Sequence, residues 1–92
     1  MPEQSLHWRL VWGVSLLWRS WDDEFIVLNS ASGDTHQFDS FTAELLALIE
    51  KAPEPIGFEQ LCQQLSIDDD LTPQLKMVLS RLVNLDLVES VL

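Results

Sequence analysis

The chain has 92 residues, 47% of them hydrophobic, and a formal charge of -10, which predicts a single domain (1–92) with one core and speaks against disorder. That acidity argues against nucleic acid as a partner, because phosphates are neutralised by Lys and Arg, and disfavours an anionic membrane surface, while remaining compatible with a basic partner. Cys62 is the only cysteine, so neither an internal disulfide nor a thiolate metal cluster is expected; no apolar run reaches the roughly 20 residues of a membrane span, and MPEQSLHWRLVW lacks a signal peptide's apolar centre, so the expected location is cytoplasmic.

Residues 1–5 are polar and predict a frayed end. Leu6–Trp12 alternates weakly through Leu6, Trp8, Leu10 and Trp12, an extended stretch lying against a sheet, and Gly13 marks a bend. Val14–Trp21, Phe25–Leu28 and Thr35–Phe38 read as three antiparallel strands. The first break is Asp22-Asp23-Glu24; the second, Asn29 to Asp34, supplies residues that tolerate positive φ. The third strand is short, with polar residues at alternate positions, as an edge strand would be. Trp8, Trp12, Trp18 and Trp21 all fall in the first quarter. Packing against core and sheet is their expected use, with an exposed partner surface as the alternative for one or two rings.

Asp39 or Ser40 is placed to cap a helix whose apolar stripe is Leu45, Leu48 and Ile49, widened by Phe41 and Leu46. It should stop before Pro53, and Ala52 to Pro55 forms a stiff connector. A second, short helix runs over Phe58–Leu65, with Gly57 at its cap, Gln60 as capping-box partner and Cys62 as a small buried hydrophobe. Ser66–Leu71 is a loop. Thr72 is expected to cap a third helix, with Pro73 in its first turn and a stripe of Leu75, Val78, Leu79, Leu82 and Val83 extended by Leu85 to Val88. Gln74, Lys76, Met77, Ser80, Arg81 and Asn84 lie off that stripe, and the tail from Val88 closes the core as a short extended piece.

Catalytic chemistry is not indicated. Ser32-Gly33-Asp34 is a turn and not a phosphate loop, and no nucleophile has a base in recognisable context. Asp68-Asp69-Asp70 lacks the alternating oxygen ligands, glycine and distant glutamate of a calcium loop, and sits where a helix dipole favours negative charge. His7 and His36 have no partners at metal spacing. His36 shares a strand face with Phe38, which predicts a partly buried ring at the sheet margin; a hydrogen bond to a bound peptide is the alternative. A non-enzyme without metal or cofactor is therefore expected.

Three strands followed by three helices make an α+β fold. The free edge of the third strand beside the third helix would form a groove, with backbone groups on one wall and apolar side chains on the other. The order of elements, together with Trp18-Arg19-Ser20-Trp21-Asp22-Asp23-Glu24, Ser32-Gly33-Asp34-Thr35-His36 and the helix start from Asp39 through Thr42-Ala43-Glu44-Leu45-Leu46, resembles the PqqD family over about Trp8 to Glu89. The nearest branch is that of small PqqD-like peptide chaperones encoded with HPr-kinase-related proteins. The resemblance implies a winged-helix-like domain that binds a precursor (leader) peptide by β-strand addition and presents it to a modifying enzyme or an HPr-kinase-related protein. By position it implies a strand wall of Thr35, His36, Gln37 and Phe38, with Phe38 mostly in the core. The implied helix wall is Leu75, Val78, Leu79, Arg81, Leu82 and Leu85, and Lys76 and Arg81 would meet acidic leader residues. Two alternatives stand beside this reading: a winged-helix DNA-binding regulator, which the charge disfavours, and a structural homodimer using the tryptophan-rich front.

Overall fold

The computed structural model describes residues 6–91, so the frayed end read at 1–5 falls outside the described residues. The chain forms β1 (His7–Leu10), β2 (Leu16–Trp21), β3 (Glu24–Asn29), β4 (Asp34–Phe38), α1 (Ser40–Lys51), β5 (Ile56–Gly57), α2 (Phe58–Gln64), α3 (Thr72–Asn84) and β6 (Val88–Val91), with a 3-10 turn at Asp69–Leu71. The class is α+β. The order differs from three strands followed by three helices, because there are two antiparallel sheets, β5-β1-β6 and β2-β3-β4.

The additional sheet exists because distant pieces of chain meet. β1 pairs with β5 through His7↔Gly57 and Trp8↔Ile56, and with β6 from His7↔Val91 to Leu10↔Val88. Arg9 Nε donates to Glu89 Oε2 at 2.6 Å across the second pair. A two-residue strand following Pro53 and Pro55 has no periodicity of its own to reveal it. At Gly57 a Cβ would lie 3.3 Å from His7 Nε2, so the close approach to β1 favours glycine there. The tryptophans divide. Trp8 is 7% exposed, whereas Trp12 is 94% exposed in the bend after β1, where Gly13 takes φ +88°.

In the other sheet, Trp21↔Glu24 leaves Asp22-Asp23 as a two-residue turn, with Asp22 at φ 56°. Asp tolerates that left-handed conformation better than most residues. Between β3 and β4, Gly33 stands at φ +83°, and its N–H donates to the Asn29 carbonyl at 2.7 Å. Cross-strand pairing sets Trp18, Val27 and His36 on one face and Arg19, Ile26 and Gln37 on the other. The first face is covered by α1, which packs on β3 and β4 and also on β1.

α1 begins directly after β4. Asp39 is its N-cap, and Oδ1 accepts from the Thr42 N–H at 2.9 Å. At the far end Trp18 Nε1 on β2 donates to Glu50 Oε1 at 2.9 Å, so the helix crosses the sheet from β4 towards β2. Ala52, ahead of Pro53, donates to the Leu48 carbonyl and ends it. The core joins Trp8 and Val88 to Val27, Phe38, Leu45, Leu46, Ile49, Phe58 and Leu61, and to Leu75, Leu79, Leu82 and Leu87.

α2 is entered through Gly57, whose N–H donates to Gln60 Oε1 at 3.1 Å. Thr72 is not the cap of α3: Leu71 is, and Thr72 is the first helical residue. The 3-10 turn supplies the acceptors instead, since Leu71 N–H donates to the Asp68 carbonyl and Thr72 N–H to that of Asp69. Val83 is a second correction. It is exposed at the edge of the stripe rather than within the core. α3 ends with Leu87 N–H reaching back to the Leu82 carbonyl and Asp86 at φ 61°, which turns the chain into β6. Among the described residues no helix is long and apolar enough to cross a membrane.

Loss of the cap should be measurable. Asp39→Ala should cost about 1 kcal/mol in chemical denaturation at neutral pH. The Thr42 N–H, assisted by the Thr42 side chain and by Arg81, holds the Asp39 carboxyl below its ordinary value. A depressed carboxyl contributes stability above its unfolded pKa and loses it as pH falls through the folded one. The gap between wild type and variant should therefore close in acid.

A candidate site between β4 and α3

Among the described residues β4 pairs only with β3, so its second margin is unpaired. Thr35 and Gln37 are exposed; His36 is half-buried and Phe38 buried. The His36 ring stacks on Phe38, with centroids 5.9 Å apart and planes 8° from parallel. Phe38 lies within the core, and His36 continues that apolar surface outward along the strand. The Arg81 guanidinium stands 5.7 Å from the Phe38 centroid, and its charge also acts on Asp39. Arg81 thus brings α3 to the point where β4 ends and α1 starts.

The helix-wall residues implied by the resemblance occupy two different environments. Leu75, Leu79 and Leu82 are fully buried and anchor α3 in the core. Val78 and Leu85 are half-buried and Arg81 is exposed, so these three, on one flank of the stripe, offer surface. An open hollow beside them is lined by Lys76, Met77, Ser80, Arg81, Asn84 and Leu85. Met77, 73% exposed, had no role in the sequence reading. The signal was its spacing, because Met77, Arg81 and Leu85 recur at i, i+4 and i+8 and so share a face.

Lys76 lines both that hollow and a second surface. Its Nζ lies 5.9 Å from the Phe58 centroid on the other side of the core stripe. There a cleft of about 310 Å³ opens among Trp8, Phe58, Leu79 and Val83, with Ser80, Asn84 and Ser90 as polar lining. The two basic residues of α3 thus share one hollow, while Lys76 lies over Phe58 and Arg81 over Phe38.

Among the described residues no three His, Cys, Asp or Glu side chains are grouped to hold a metal ion. Asp68, Asp69 and Asp70 are exposed. Cys62 is half-buried, and burial pushes its thiol up, with Asp69 and Glu59 adding to the shift. Comparison with protein-family models, with curated proteins and with solved structures returns no match.

The thiol provides a direct check of this packing. With the thiolate disfavoured, alkylation of Cys62 by iodoacetamide at pH 7.5 should be slower than that of free cysteine. The rate should rise with pH and on unfolding in urea. A rate equal to that of the free amino acid would contradict the packing of α2 on the core.

Proposed function

We propose that this chain is a non-catalytic, PqqD-like peptide-binding adaptor. An extended precursor segment adds to the open margin of β4 and lies against the Val78, Arg81 and Leu85 flank of α3. The observation that carries the reading is the unpaired margin of β4, with Arg81 set over Phe38 beside it. Backbone pairing along β4 supplies affinity, since a guest strand satisfies donors and acceptors that otherwise face water. Selectivity comes from the flank of α3. Met77 adapts to side chains of different shape, Leu85 presents apolar surface, and Arg81 receives a carboxylate of the guest.

In this reading β2, β3 and β4 with the helices form a winged-helix-like arrangement, and the captured peptide is presented to a modifying enzyme or an HPr-kinase-related protein. The chain itself contributes binding and orientation and no reacting group. DNA is the weaker reading. α3 carries only two basic residues, Lys76 and Arg81, in a chain of charge -10, too few for the basic stripe that a phosphate backbone requires.

The test is a titration of the isotope-labelled chain with synthetic precursor segments from neighbouring reading frames. Amide shifts are expected at 35–38 and around Arg81, and shifts confined elsewhere would overturn the assignment. Successive residues of a strand direct their N–H groups to opposite edges. Of His36→Pro and Gln37→Pro, one therefore breaks the ladder to β3 and the other removes an outward donor. The variant that keeps the wild-type melting transition should lose peptide binding.

A further inference from the structure

The second face of the β2-β3-β4 sheet is unlike the solvated side of an ordinary antiparallel sheet. Pairing sets Leu17 opposite Leu28, Arg19 opposite Ile26 and Trp21 opposite Glu24, so these side chains share one face. Leu17 is 55% and Trp21 73% exposed. Ile26 and Leu28 are half-buried but do not belong to the shell packed against the core, whereas Leu16 and Trp18 on the opposite face do. Neighbouring side chains on their own sheet therefore shield them, and Leu17, Trp21, Ile26 and Leu28 form an apolar patch, rimmed by Arg19, Glu24, Thr35 and Gln37, that is unpartnered among the described residues. A solvated face of an antiparallel sheet is normally polar; Leu and Trp in that position mark a surface that another molecule covers.

The charge around the patch indicates which kind of molecule. Asp22, Asp23 and Glu24 stand at the Trp21 end, all exposed, against the single cation Arg19. The aliphatic stem of Arg19 extends the apolar surface. A second copy laid on this face would bring another charge of -10 against this one, with the acidic turns of both at the same interface. Like charges facing one another across an interface are unfavourable. A partner with an apolar centre and a basic rim meets both requirements.

We propose that the Leu17, Trp21, Ile26 and Leu28 face of this sheet, with its acidic turn, is a docking surface for a basic, amphipathic segment of a partner protein. Trp21 is the anchor, and the carboxylates at 22–24 fix the orientation and attract the partner from a distance. The surface lies on the opposite side of the sheet from α1 and continues to Thr35 and Gln37; it uses the face of the sheet, whereas the peptide reading uses the backbone edge of β4 beside α3. One chain can therefore hold a peptide and a partner protein at once.

The experiment uses the full chain, isotope-labelled, with a synthetic 14-residue amphipathic helix of Leu and Lys as the probe and its Leu and Glu counterpart as the control. The basic peptide should shift amides in β2 and β3 and the acidic one should not. Trp21→Ser should weaken binding about tenfold or more, as loss of an anchoring tryptophan does. Combined Asp22→Asn, Asp23→Asn and Glu24→Gln should weaken it severalfold and flatten its salt dependence. Asn keeps the left-handed turn at 22, and every replaced side chain is exposed, so the melting transition should be preserved. Combined Asp68→Asn, Asp69→Asn and Asp70→Asn should leave the affinity unchanged.

Equal weakening by the two charge variants would show diffuse attraction to an acidic chain and overturn the proposal. Absence of binding, or shifts confined to residues outside β2 and β3, would do the same. Light scattering that finds a dimer dissociated by Trp21→Ser would assign the face to a second copy instead. Thr35 and Gln37 share the docking face, so shifts at Arg81 and Leu85 on α3 report the other surface, and each reading stands or falls separately there.

Discussion

The structure depends on α1 being buried from two sides. Leu45 and Leu46 are adjacent in sequence, point in directions about 100° apart on a helix, and are both completely buried. Such a helix needs apolar partners over more than one face. Sheet β2-β3-β4 supplies one through Val27 and Phe38, and sheet β5-β1-β6 another through Trp8 and Val88. Asp39 starts the helix at β4, and Glu50 ties its end to Trp18 on β2, so its line across the sheet is held at both ends. β1, β5 and β6 come together from the start, middle and end of the chain to complete the enclosure.

That enclosure divides every strand of the β2-β3-β4 sheet into a structural row and a free row. On β4 the inward residues His36 and Phe38 join the apolar surface while Thr35 and Gln37 remain exposed. Proteins commonly blunt exposed strand edges with charge or proline. Here the middle of β4, Thr35 to Gln37, carries neither Lys, Arg, Asp, Glu nor Pro, and a recognition strand must likewise stay clear of blocking groups. On β2 the free row is Leu17, Arg19 and Trp21, which is apolar beyond what solubility favours. Both departures lie outside the core and cost the fold little.

The acidity of the chain is unevenly distributed. Asp39 works within the fold, and Asp69 acts with Glu59 on the Cys62 thiol. Asp22, Asp23 and Glu24 are exposed beside Trp21, where a local field adds to an apolar contact. Arg81 serves as the counterweight on the other side of the sheet, close to the end of β4 and the start of α1.

The sequence by itself determined the local elements: the β2-β3-β4 meander, the Asp39 cap, the helix stop ahead of Pro53 and the core stripe of α3 at Leu75, Leu79 and Leu82. Each rests on contacts between residues near in sequence or on a backbone preference, so periodicity and turn chemistry suffice to read it. It also made the margin of β4 legible, because a short strand with alternating polar residues looks like an edge. Tertiary structure alone decided the sheet built from β1, β5 and β6, whose pairing partners lie some 50 to 80 residues apart, and β5 is too short to carry a pattern. It also decided which tryptophans are buried, which flank of α3 faces β4, and that Lys76 lies over Phe58 while Arg81 lies over Phe38. Those outcomes depend on the rotation of one packed element against another, which a one-dimensional pattern does not encode.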